Sequence, residues 1–295
     1  MRAHASYAVF TARSDDPPPS LLHDANVPAL DPATWSLAAR PVELGDPLLE
    51  VLRTLAFERE PPIRKRSYPR AHLYRQAFLL ELERADSLYP DAIGFAVGAV
   101  GALARWADGP VVDLTAERVW TAREWRRWFG PRRPFDARRH VSIHASWAPD
   151  GATATLHTHG MGKWAHPELV ALDVPDAGRR VAGQLLGHLA AVRATTLEPL
   201  EPGHTFDPGF GQPMVAFVPL AGDHPVVGHL GAPPSVVVDY DVETDETVDG
   251  LFTLLRHAKA LDTPAPERRR RPMATYRRPV DGAAATPPPS PAPPR

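Results

Sequence analysis

The chain has 295 residues, of which 43% are hydrophobic, and a formal net charge of −2. That length and apolar content allow one large domain or two small ones, each with a real core, and the balanced charge selects neither nucleic acid nor an acidic solvating role by bulk electrostatics. Cysteine is absent, which excludes disulfides, thiolate metal sites and cysteine nucleophiles, so any metal ligands must be His, Asp or Glu.

In chain order, residues 1–45 read as an irregular N-terminal segment broken by prolines, with 6–12 as a short edge strand. Residues 46–58 predict a helix, with Asp46 as N-cap, Pro47 at the first helical position, and Leu48, Leu49, Leu52 and Leu55 on one stripe. A basic loop follows over 58–70. The apolar, aromatic run 72–83 suits a buried strand, although its length also permits a helix. Residues 90–109 read as a buried helix whose small residues allow close packing, and 110–114 as a strand. No apolar run reaches the roughly 18 residues of a membrane span, and the N-terminus lacks a secretory apolar core. A cytoplasmic protein with no membrane contact is expected.

Thr121 and Glu124 form a capping box that opens a helix over 121–129. Trp120, Trp125 and Trp128 cluster there, as core residues or as a patch for a protein partner. A helix over 175–194, strands over 213–220 and 235–242, and a helix over 245–262 complete the folded part. The acidic run 239–246 reads as a solvated strand end rather than a calcium loop. From 263 to 295 the chain is rich in proline and arginine and is expected to be a disordered tail. The fold class is therefore α+β, with mostly antiparallel sheet, helices packed on one face, and a single domain over 46–262.

Residues 140–160 hold four of the thirteen histidines. Val141, Ile143, Ala145 and Trp147 alternate with His140, Ser142, His144 and Ser146. After a turn at 148–151, Ala152, Ala154, Leu156 and Thr158 alternate with Thr153, Thr155, His157 and His159. A period of two means two strands of a hairpin. Pairing Ala148 with Gly151 places His140 opposite His159 and gathers all four histidines on one face; a one-residue slip would mix the faces. His140, His157 and His159 are then candidate metal ligands, with Asp113 or Glu168 supplying a carboxylate. The alternative is an ordinary polar sheet face.

The stretch Thr158, His159, Gly160, Met161, then Pro167, Glu168 and Leu169, resembles a family of uncharacterised bacterial domains of unknown function. In that family a strand ends in T-H/R-G-M/L and is followed by a short linker and P-E-L. Asp113, Glu124 and Trp125 match the family's upstream strand and helix start. Ala165 and His166 stand where the family usually carries Phe-Gly. The resemblance covers roughly 70–195 and implies an α+β domain without established activity. Its association with suppressor-of-fused-like and immunity-type domains implies a binding role. The leading expectation is a non-enzymatic protein that binds another protein, with no cofactor and with nucleic acid not expected. The alternative is an enzyme that depends on a divalent metal such as zinc, held by the histidine cluster.

Overall fold

The computed structural model describes residues 2–24, 27–58, 71–130, 133–149 and 151–195, together with the strands at 205–206, 215–219 and 236–239. The expected basic loop at 59–70, acidic run at 240–246, helix at 245–262 and tail at 263–295 lie outside the described residues. The chain is mixed α+β with mostly antiparallel pairing, distributed over two sheets.

The first sheet contains β1 (Ala3–Thr11), β2 (Trp35–Pro41), β3 (Gln76–Arg84), β4 (Val111–Asp113) and β5 (Arg118–Trp120), in the order β2-β3-β1-β4-β5. This corrects the reading of 1–45 as irregular. β1 is the central strand, and its residues 3–11 pair antiparallel with β3 along their whole length. Its alanines and small polar residues hide an alternation that tertiary packing makes plain. Ala3, Ala5, Tyr7 and Val9 join the core under α3 (Asp91–Ala107), while Ala8 and Phe10 join Leu49, Leu52 and Leu55 of α2 (Pro47–Glu58). The first sheet thus carries α2 on one face and α3 on the other. α1 (Leu21–Asp24) packs on the same core as α3, as does α4 (Ala122–Phe129), whose capping box forms as expected.

The second sheet contains β6 (Ser142–Trp147), β7 (Thr153–His159), β8 (Leu169–Pro175), β9 (Thr205–Phe206), β10 (Val215–Pro219) and β11 (Val236–Asp239), in the order β6-β7-β8-β11-β10-β9. Only β8 and β11 pair in parallel among these described strands. α5 (Arg179–Ala194) buries Leu185, Leu186 and Leu189 against Leu156, Leu169 and Ala171, so a helix covers one face here, as expected.

A short 3-10 turn, Met161–Trp164, joins the sheets. It leaves β7 and packs against β1 so closely that a Cβ on Gly162 would lie 2.8 Å from the His4 ring. Lys163 is fully buried, and its ammonium donates to Asp113 Oδ2 at 2.5 Å and to the carbonyl of His140 at 2.8 Å. Burial pushes this ammonium below its ordinary pKa, and Asp113 opposes that shift. A buried charge left without its partner is strongly destabilising. Lys163→Met alone should therefore cost about 3–5 kcal/mol in urea unfolding, whereas adding Asp113→Asn, which keeps the acceptor for the amide of Ala116, should recover part of that loss.

Candidate functional site

β6 and β7 form the expected hairpin, with a different register. Ser142 pairs with His159 and His144 with His157, and the amide of Ala148 closes the turn on the carbonyl of Thr153 at 2.9 Å. The turn is two residues longer than expected, so the pairing slides by two. A slide of two preserves the faces, because side chains alternate with period two. Ile143 and Leu156 face α5, while His144, His157 and His159 share the opposite face.

His140 is not among them, which corrects the choice of His140, His157 and His159. It closes the 3-10 turn Ala137–Arg139 with a backbone at φ −97° and ψ 0°, so the strand alternation begins only at Ser142. Its ring is fully buried, stacked on Phe135 at 5.4 Å and near Phe129 at 5.1 Å. Burial holds its pKa well below the usual imidazole range, and the Lys163, Arg118 and Arg139 cations lower it further. It is a neutral core histidine.

The three remaining imidazoles converge. Ring centroids are 4.3 Å apart for His144 and His159, 5.0 Å for His157 and His159, and 5.7 Å for His144 and His157. One nitrogen from each lies within 4.8 Å of the others. His157 is buried, and the side chains of His144 and His159 are 21% and 12% exposed. Neither expected carboxylate reaches them. Asp113 is taken by Lys163. Glu168 binds on the core side of β7, where it accepts from Thr158 Oγ1 at 2.7 Å and from the amides of Gly160 and Met161 at 2.9 and 3.0 Å.

The carboxylate at the cluster is Glu117, in the turn between β4 and β5. Its two oxygens lie 3.4 Å from His144 Nδ1 and 3.3 Å from His159 Nδ1. The turn is tied to the second sheet. The Ser142 hydroxyl donates to the carbonyl of Ala116, and Arg118 Nη1 donates to the carbonyls of Arg138, Arg139 and Val141 at 3.2–3.4 Å. Glu117 takes a left-handed backbone, φ 47°, which is uncommon for a side chain of this kind. No glycine or proline marks that turn, so only its position one residue before β5 could have singled Glu117 out.

Ser142 also fixes a tautomer. Its hydroxyl proton goes to Ala116, so its 2.9 Å contact with His144 Nε2 requires the proton to sit on that nitrogen. His144 Nδ1 then faces Glu117 either with a second proton, as an imidazolium, or with a lone pair. A lone pair aimed at a carboxylate is unfavourable unless a cation or a bridging water lies between them.

The motif residues form a corner instead. Gly160 has φ 116°, and a Cβ there would lie 2.4 Å from the carbonyl of His140, so only glycine fits. Thr158 Oγ1 accepts from the amide of Leu169 at 2.8 Å, and Met161, Pro167 and Leu169 are buried. Of the two readings of the tryptophans, the core one describes two of the three. Trp125 and Trp120 are buried, the former donating to the carbonyl of Val97 at 3.2 Å, and Trp128 alone of the three is half-buried.

Burial raises the Glu168 carboxyl to about 7, against its three hydrogen bonds and the Lys163 charge. A carboxyl with a raised folded pKa holds its proton longer in the folded state, so its contribution is fully present below pH 4.5 and declines as pH rises to 7. Glu168→Gln should flatten the stability profile over that window, as read by urea midpoints at each pH. No family model, curated protein or solved structure matches the chain.

Proposed function

We propose that the protein is a divalent-metal enzyme of hydrolytic type, with His144, His157 and His159 holding one ion and Glu117 beside it. The observation behind this reading is the convergence of three imidazoles and one carboxylate on a single sheet face. The alternative, an ion pair without metal, needs an imidazolium at His144 for its Nδ1 to donate to Glu117 while Nε2–H faces Ser142, whereas His159 can donate from Nδ1 as a neutral ring. A divalent ion lets all three rings remain neutral.

The donor set, nitrogen and oxygen without sulfur, suits zinc and other imidazole-accepting divalent ions. Such an ion supplies a Lewis acid that lowers the pKa of a bound water toward neutrality. Three imidazoles leave a coordination position, as catalytic sites do. Glu117, whose side chain is 39% exposed, stands at the solvent side as the group that can take up a proton. Ser142 holds His144 Nε2–H, the outer-shell hydrogen bond that a ligating imidazole typically makes. A non-enzymatic binding role has one observation in its favour, an arginine-rich surface at 123–129 and 133–139.

Calorimetric titration of the metal-stripped protein with zinc should give one site per chain. His157→Ala/His159→Ala should abolish binding with the fold retained by circular dichroism. Ser142→Ala should weaken binding by about 10–100-fold. A wild-type protein that takes up no zinc, manganese, nickel or iron(II) overturns the reading. Metal-loaded protein should also hydrolyse a member of a carboxylic and phosphoric ester panel, and that turnover should fall sharply in Glu117→Gln.

A further inference from the structure

We propose that the surface formed by α4 and the segment 133–139 binds the phosphodiester backbone of single-stranded nucleic acid. From 118 to 139 the sequence holds eight arginines and two carboxylates, in a chain whose net charge is −2. The charge is therefore placed locally and is invisible in the total.

The capping box orients α4 so that Trp125 and Phe129 enter the core, and Arg123, Arg126 and Arg127 stay exposed. Residues three and four apart on a helix have Cβ atoms about 5–6 Å apart, so Arg123 neighbours both Arg126 and Arg127. The side chains of Arg123, Arg126 and Arg133 make no ion pair with any described residue. Both carboxylates of the segment are engaged. Glu124 closes the capping box, and Asp136 accepts from Arg138 and Arg139 at 3.0 and 3.3 Å. The surface keeps a cationic excess.

An aromatic plane lies within it. Arg139 sits 3.7 Å from the centre of the half-buried Trp128 ring, and Arg127 4.9 Å from it. Arg118, which holds the carbonyls of Arg138 and Arg139, anchors this segment from below. A cluster of arginines beside a guanidinium–indole contact suits a strand whose bases are unpaired and can stack, since stacking tolerates any base while cations track the backbone. An acidic peptide offers charge without a base to stack.

Binding is tested on the full chain with a fluorescein-labelled 20-mer of deoxythymidine, by anisotropy. EDTA is present throughout, so the outcome is independent of any bound metal. The expected dissociation constant is micromolar at 50 mM salt, weakening toward 200 mM as phosphate contacts release counterions. Arg123→Gln/Arg126→Gln/Arg127→Gln should weaken binding at least about tenfold and reduce the salt slope by about two, at roughly 0.7 per phosphate contact. These positions are exposed, so the thermal transition should be unchanged. Quenching of tryptophan fluorescence by the oligonucleotide, lost in Trp128→Leu, supports stacking. The proposal is overturned by no binding at 50 mM salt, by equal affinity of the triple variant, or by poly-glutamate of the same length competing as well as unlabelled oligonucleotide.

Discussion

The arrangement depends on how one turn of the first sheet is fastened to the second. The buried ion pair of Lys163 with Asp113 reaches from the corner after β7 to the end of β4. Beside it, Ser142 and Arg118 bind backbone carbonyls across the same junction. Lys163 and Asp113 are buried away from solvent, so each charge depends on the other for compensation, and removing either one leaves an uncompensated buried charge. The turn 114–117 is fixed as a consequence. Glu117 is delivered over a face of the second sheet whose own side chains near it are imidazoles and hydroxyls.

This junction gives the motif residues a physical role. Gly160 is there because the His140 carbonyl comes too close for a Cβ at a positive φ, Glu168 gathers the two amides exposed where the strand ends, and Lys163 crosses to the other sheet. A corner of this kind specifies the relative placement of two sheets. The candidate site is built from residues on either side of it, so a stability element and a chemical element share one stretch of chain.

Much of the second sheet was legible in the sequence. The alternation through 142–147 and 153–159 placed three histidines on one face, and a wrong turn length did no harm because the slide was even. His140 failed because alternation was extended two residues past the strand, into a helical turn that leaves no periodic signature. β1 was undervalued because its first half alternates only small alanines with His4 and Ser6, while residues 7–10, covered on both faces by helices, are apolar at every position. Glu117 and Lys163 were not legible at all. Each acts on a residue distant in sequence, Lys163 on Asp113 fifty positions away, and nothing local marks either. The near-neutral total charge likewise hides the arginines of α4.

In the proposed site His144, His157, His159 and Glu117 are ligands or neighbours of one divalent ion. X-ray absorption of the protein carrying one equivalent of zinc measures this directly. Three imidazole nitrogens and light-atom oxygen scattering at about 2.0–2.2 Å are expected, with imidazole scattering reduced in His144→Ala and unchanged in His140→Phe. A zinc environment with fewer than two imidazoles, or one that changes with His140 and not with His144, would contradict it.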